Sequence, residues 1–199
     1  CIMVGTQMLA KGHHFPQVTL VAVINADAGF LSPDFRAPER TAQLIVQVAG
    51  RAGRAEKQGE VWIQSYQPEN PLLQRLISQG YRGFAEAELT SRMQAGLPPA
   101  QPMAMLRAES IDPSLARDFL SRCKASFESA AKSQQNMTGL DILGPIPAPT
   151  ARVAKRTRFQ LVVLAATRPE LHRVLASLGH PKTHHSLRWS IDVDPYDAM

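Results

Sequence analysis

A chain of 199 residues with 44% apolar and 20% charged side chains suffices for one large domain or two small ones around an ordinary globular core. No run approaches the roughly 20 apolar residues of a membrane span, and Cys1-Ile2-Met3-Val4-Gly5 does not open like a signal peptide, so no membrane partner is expected. The net charge of +5 and pI of about 9.6 lean toward a polyanionic partner, while two cysteines as distant as Cys1 and Cys123 fit a reducing cytoplasm better than a disulfide framework or a zinc site.

Opening on Cys1 rather than Met, the chain reads as a piece whose upstream part is missing. Cys1 to Gly5 is expected as a short buried strand. Val18 to Ile24 is expected as a second, its continuous apolar run being the kind that parallel sheets bury on both faces. Arg36 to Ala49 predicts a helix with Ala42, Ile45, Val46 and Ala49 on one side, and Gly59 to Gln64 a third strand. This alternation implies an α/β layer architecture. Asn70-Pro71 looks like a cap and first turn for a helix bearing Leu72, Leu73, Leu76 and Ile77, and a further helix is expected from Arg82 to Gln94. Gly96-Leu97-Pro98-Pro99 then breaks the pattern, dividing the chain into 1–96 and 97–199.

Beyond that break Met103 to Glu109 reads as a strand. Asp112-Pro113 starts a helix whose stripe is Leu115, Phe119, Cys123, Phe127 and Ala130. A short strand is expected at Asp141-Ile142-Leu143, followed by the turn-rich Gly144-Pro145-Ile146-Pro147. Phe159 to Ala165 is the next strand, and Thr167 caps a helix bearing Leu171, Val174, Leu175 and Leu178 that ends at Gly179. Leu187, Trp189, Ile191 and Val193 alternate with polar residues as a last strand. The expected fold is therefore an α/β first part followed by a smaller α+β domain in the β-α-β-β-α-β, ferredoxin-like order.

The strongest chemical signal is Gln47-Val48-Ala49-Gly50-Arg51-Ala52-Gly53-Arg54. Two arginines three residues apart at a helix end can share one face and aim into one cleft. The planar guanidinium fork suits a phosphate gathering charge in a transition state. Exposed charges on an ordinary helix end are the competing reading. A second block, Gly5-Thr6-Gln7-Met8-Leu9-Ala10-Lys11-Gly12-His13-His14-Phe15-Pro16, follows an expected strand, at the end where α/β proteins bind ligands. Thr6 and Lys11 offer a hydroxyl and a charge to a phosphate; a plain loop with a surface lysine is the alternative. Adjacent histidines, His13-His14 and His184-His185, bring no further ligands and do not indicate metal.

With GTQMLAKGHHFP, VINADAGFLSPDFRAPER and QVAGRAGR in order, then GEVWIQSYQPENPLLQ, LPP, LGPIPAP and IDVDP, the chain resembles the second motor lobe and C-terminal domain of the PriA family, the primosomal protein N′ helicases. The resemblance implies the C-terminal part of a RecA-like lobe, with superfamily 2 helicase motifs V and VI in the first and last of the three blocks. It implies ATP-driven 3′-to-5′ DNA unwinding at stalled forks and reloading of the replicative helicase. By the family motif Gln47, Arg51 and Arg54 face the nucleotide, with Arg54 the arginine finger, and Gly12 lies at the nucleotide edge. Thr6 and Gln7 lie nearer the DNA or couple the two sites, and Lys11 is a further candidate DNA contact. Asp27 is a weaker candidate for coupling the two sites, against an equally good reading as a loop or capping carboxylate. No G-x-x-x-x-G-K-[ST] loop or acidic pair is present, so ATP with Mg2+ is expected to be held mainly by the upstream lobe. This chain alone is expected to be inactive, and the family's zinc module is also expected upstream.

Arg152, Lys155, Arg156 and Arg158 crowd the residues just before Phe159, a cluster suited to salt-dependent, sequence-independent phosphate binding at forks and single-stranded DNA; a solvated loop is the alternative. Phe159 is a candidate to stack on a base, although a strand phenylalanine is more often core. Arg168 and His172 lie one turn apart at a helix start. In the resembling family a site in this domain receives the acidic tail of single-stranded DNA-binding protein, and primosome proteins are further partners. A non-catalytic nucleic-acid-binding module is the competing function; it accounts for the charge but not for QVAGRAGR.

Overall fold

The computed structural model describes residues 2–5, 18–50, 52, 59–133 and 139–196. The chain forms two compact units, Cys1–Ser91 and Arg92–Met199.

In the first unit β1 (Leu20–Val23) pairs in parallel with β2 (Glu60–Ile63), Leu20 opposite Glu60 and Val23 opposite Ile63. Between them lie α1 (Asp27–Phe30) and α2 (Ala37–Ala49). A long α3 (Pro71–Gln94) follows, broken at Gly80, whose φ of 69° and ψ of −170° no helix contains. The break at Gly80 separates the two helices expected on either side of it. Asn70 caps its start, its side-chain oxygen accepting the Leu72 and Leu73 amides at 3.0 and 3.3 Å. The core gathers Ala26, Phe30, Ala42, Ile45, Leu73, Leu76 and Phe84, with the Phe30 and Phe84 rings edge to face at 6.3 Å.

Three expectations for this unit are corrected. Residues 2–5 are exposed and form no strand; among the described residues nothing supplies the ladder a strand needs. The β1 run is not buried on both faces: Leu20 is half exposed and Trp62 on β2 is 61% exposed, because among the described residues the pair packs on α2 and α3 through the Val23 and Ile63 face. On α2 the buried stripe is Pro38, Ala42 and Ile45, and Val46 lies outside it, a turn position rotated toward solvent.

In the second unit the order is β3 (Met103–Ser110), α4 (Pro113–Ser133), β4 (Asp141–Val153), β5 (Arg156–Leu164), α5 (Arg168–Ala176) and β6 (Arg188–Val193). This is the β-α-β-β-α-β order read from the sequence. The strands form one antiparallel sheet ordered β4-β5-β3-β6. Both helices pack on one face, where Ala104, Leu106, Ala108, Leu161 and Val163 meet Ala116, Phe119, Leu120, Cys123 and Phe127 of α4 and Leu171 and Val174 of α5. Burial pushes the Cys123 thiol up to about 11, so this sulfur behaves as a small core hydrophobe. Asp112 caps α4 through the Ser114 amide at 2.9 Å. Thr167 and Glu170 close a reciprocal capping box on α5, which ends at Ala176, three residues before Gly179.

The segment expected as a short strand plus turn-rich 144–147 is one long strand, β4, carrying Pro145, Pro147 and Pro149. Proline donates no ladder hydrogen bond, but β4 is the sheet edge, where that donor is not required. The register shifts between Leu143 and Ile146 and again between Pro147 and Arg152, bending the edge away from regular pairing. Gly144, at φ 111°, sits at the first shift, and a Cβ there would lie 2.8 Å from the Gln160 carbonyl oxygen.

Candidate functional site

In the first unit the carboxyl ends of β1 and β2 are tied into one platform. The Asn25 amide donates to Gln64 Oε1 at 2.9 Å, and the Ala26 amide to the Gln64 carbonyl at 3.1 Å. Asp27 completes it, accepting the Ser65 hydroxyl at 2.7 Å and the Tyr66 amide at 2.8 Å. The Ser65 bond first, then that of Tyr66, hold its carboxyl below the usual carboxylate range. Asp27 is thus a carboxylate that joins two strand ends.

Gln47 is exposed near the end of α2, which stops at Ala49 with Gly50 as its cap. Arg51, Arg54, Thr6, Gln7, Lys11 and Gly12 lie outside the described residues. The start of α2 is fixed by Asp34, a buried carboxylate whose oxygens accept the Arg36 amide at 3.0 Å and the Arg40 guanidinium.

In the second unit the basic cluster sits on a hairpin rather than on a loop ahead of a strand. Arg152 and Val153 end β4, Arg156 and Arg158 begin β5, and Ala154 and Lys155 make the two-residue turn with φ of 48° and 65°. Positive φ at both central positions is the primed-turn geometry, normally given to Asn-Gly or Asp-Gly. Arg152 and Lys155 are exposed at the tip and have no ion pair among the described residues. Arg156 donates from Nη1 to the Ser186 carbonyl at 2.9 Å. Arg158 faces Glu109 across the ladder at 4.0 Å, and Arg188 approaches the same carboxylate at 3.7 Å from the other side. Phe159 is partly buried and packs against the helix-covered core.

Arg168 and His172 are both exposed on α5, one turn apart. Arg168 is ion-paired with Asp194 at 2.8 Å. Sequence reasoning missed Glu109, Arg188 and Asp194. The alternation Arg107-Ala108-Glu109 on one strand and Arg188-Trp189-Ser190 on another signals a charged outer sheet face, but the partners follow only from the register. Among the described residues no three His, Cys, Asp or Glu side chains cluster as metal ligands, and no helix is long and apolar enough to cross a membrane.

A small parallel-strand unit followed by an antiparallel α+β unit with a basic hairpin defines a mixed α/β chain of two parts. Residues 93–196 match the family described as primosomal protein N C-terminal domain. The chain is 46% identical to the replication restart protein PriA of Haemophilus influenzae over 98% of its own length and 26% of that protein's. It is 36% identical to the PriA of Bacillus subtilis, over 100% of the chain and 24% of the relative. It is also 36% identical to that of Synechocystis sp., over 98% and 23%. The chain belongs to the PriA family, and it spans about a quarter of the length of the curated relatives it matches.

Proposed function

We propose that this chain is the C-terminal part of an ATP-dependent 3′-to-5′ DNA helicase of the cytoplasm that recognises stalled replication forks and initiates primosome assembly for replication restart. The observation that carries this reading is similarity along 98% of the chain to proteins named replication restart protein PriA. The parallel pairing of β1 with β2, with helices between them, supports a RecA-like lobe. In this reading Gln47, Arg51 and Arg54 reach a nucleotide bound by the upstream lobe, with Gly12 at its edge, while Thr6, Gln7 and Lys11 meet DNA. In this reading ATP with Mg2+ is held mainly by the upstream lobe, and zinc by an upstream module.

The hairpin supplies phosphate contacts. Left-handed backbone at Ala154 and Lys155 costs about 1–2 kcal/mol per residue relative to glycine, and strain of that kind persists where a side chain is needed. Here it places a lysine at the tip. In the full-length protein Lys155→Gln is expected to weaken forked-DNA binding equally across sequences and to lower the slope of log affinity against log salt by about 0.9. An unchanged slope in a fluorescence-anisotropy titration removes the hairpin from the DNA surface.

Arg168 and His172 form the proposed seat for the acidic tail of single-stranded DNA-binding protein. Arg168 is ion-paired with Asp194 at 2.8 Å, so an incoming tail carboxylate takes the place of Asp194 on that guanidinium. Arg168→Ala in the full-length protein is expected to weaken binding of such a tail peptide about tenfold in calorimetry, in keeping with loss of a charge-assisted hydrogen bond. Wild-type affinity in that variant sinks the assignment.

A further inference from the structure

The loop between α5 and β6, residues 177–187, is a polar segment that the reading above leaves without a role. It carries His180, Lys182, His184 and His185, all exposed, and leads directly into Arg188. It is a built loop. The Leu187 amide closes a turn on the His184 carbonyl at 3.0 Å, and Leu187 is buried in the core of the second unit. The Ser186 amide donates to His184 Nδ1 at 3.3 Å, and the two imidazole rings lie 4.1 Å apart. With Nδ1 accepting, neutral His184 keeps its proton on Nε2, a donor for an incoming oxygen.

The sheet brings this loop to the hairpin. β5 and β6 flank β3 and both run antiparallel to it, so Arg156 and Arg188, each the first residue of its strand, stand at the same end. Arg188 stands level with Arg158, two strand spacings or roughly 10 Å across the sheet, and Arg156 lies two residues further toward the hairpin tip. The Arg156–Ser186 bond spans that interval and fixes the loop against the hairpin. The carboxylates at this end are already engaged, Glu109 between Arg158 and Arg188 and Asp112 on Ser114. Arg152 and Lys155 of the hairpin, and Lys182 and the histidines of the loop, are all exposed.

We propose that the 180–188 segment is the second wall of a two-sided surface for a nucleic-acid phosphate backbone, with Lys182 its principal contact and Arg156 the clasp that holds the walls together. This rests on the reading that the hairpin binds DNA. The surface takes phosphates without reading bases, because Arg152, Lys155 and Lys182 offer cationic donors that suit phosphate oxygens of any sequence.

The test uses the full-length protein and forked DNA, with anisotropy measured across a salt series for Lys182→Gln, Lys155→Gln and the double variant. Each single variant is expected to lower the slope of log affinity against log salt by about 0.9 and the double by about 1.8, whatever the DNA sequence. If Lys155→Gln lowers the slope and Lys182→Gln keeps the wild-type slope and affinity, the second wall is overturned while the hairpin reading stands. If neither changes the slope, the hairpin reading fails and takes the second wall with it.

Discussion

Arg54→Ala in the full-length protein is expected to lower DNA-stimulated ATP hydrolysis by about 10³-fold or more while leaving fork binding intact. An arginine that meets the γ-phosphate only as charge builds on it contributes to the transition state and little to the ground state. A thousandfold loss corresponds to about 4 kcal/mol of barrier. Nucleotide affinity, measured with a slowly hydrolysed analogue, should change far less than the rate. Arg51→Ala and Gln47→Ala should fall between that variant and wild type if they orient the nucleotide. A variant at Arg54 with wild-type turnover removes the motor assignment of QVAGRAGR and leaves a nucleic-acid-binding module as the better account of the chain.

The second large effect is on stability. Phe119 is 1% exposed, at the centre of the α4 stripe, with its ring 5.3 Å from that of Trp189 on β6. Phe119→Ala removes a buried aromatic and leaves a cavity between helix and sheet, at a cost of about 3–5 kcal/mol. That is a large share of the roughly 5–15 kcal/mol that holds a domain folded. The readout is built in. Trp189 is partly buried in this core, whereas Trp62 is 61% exposed in the first unit, so Trp189 dominates the fluorescence change in urea. The midpoint of that transition should fall steeply in the variant. A midpoint equal to the wild-type value contradicts the packing described for α4 against β3 and β6.

Local signals were the legible part of this sequence. Asn70, Asp112 and Thr167 each announce a helix start, and each side chain accepts the amide its position predicts. The Phe119, Cys123, Phe127 stripe lies on the core because its four-residue spacing keeps to one helix face. Features set by neighbours were not legible. Pro145, Pro147 and Pro149 argue for a turn when read alone, and only the edge position of β4 makes them acceptable in a strand. An apolar run such as Leu20–Val23 does not say how many strands or helices cover it. Arg158 and Arg168 read as free cations, yet Glu109 and Asp194 meet them through pairings between residues far apart in the chain. The hairpin tip falls between these cases. Its basic composition was visible, but the two-residue turn at Ala154 and Lys155 lacks the glycine or asparagine that marks such turns.

The most direct test of the central claim is strand displacement on a forked duplex by the full-length protein with ATP, wild type beside Arg54→Ala and beside Lys155→Gln combined with Lys182→Gln. Wild type should unwind in the 3′-to-5′ direction. Arg54→Ala should bind the fork and fail to unwind it. The basic-surface variant should recover unwinding as protein concentration is raised or salt lowered. Unwinding by Arg54→Ala at the wild-type rate would contradict the account.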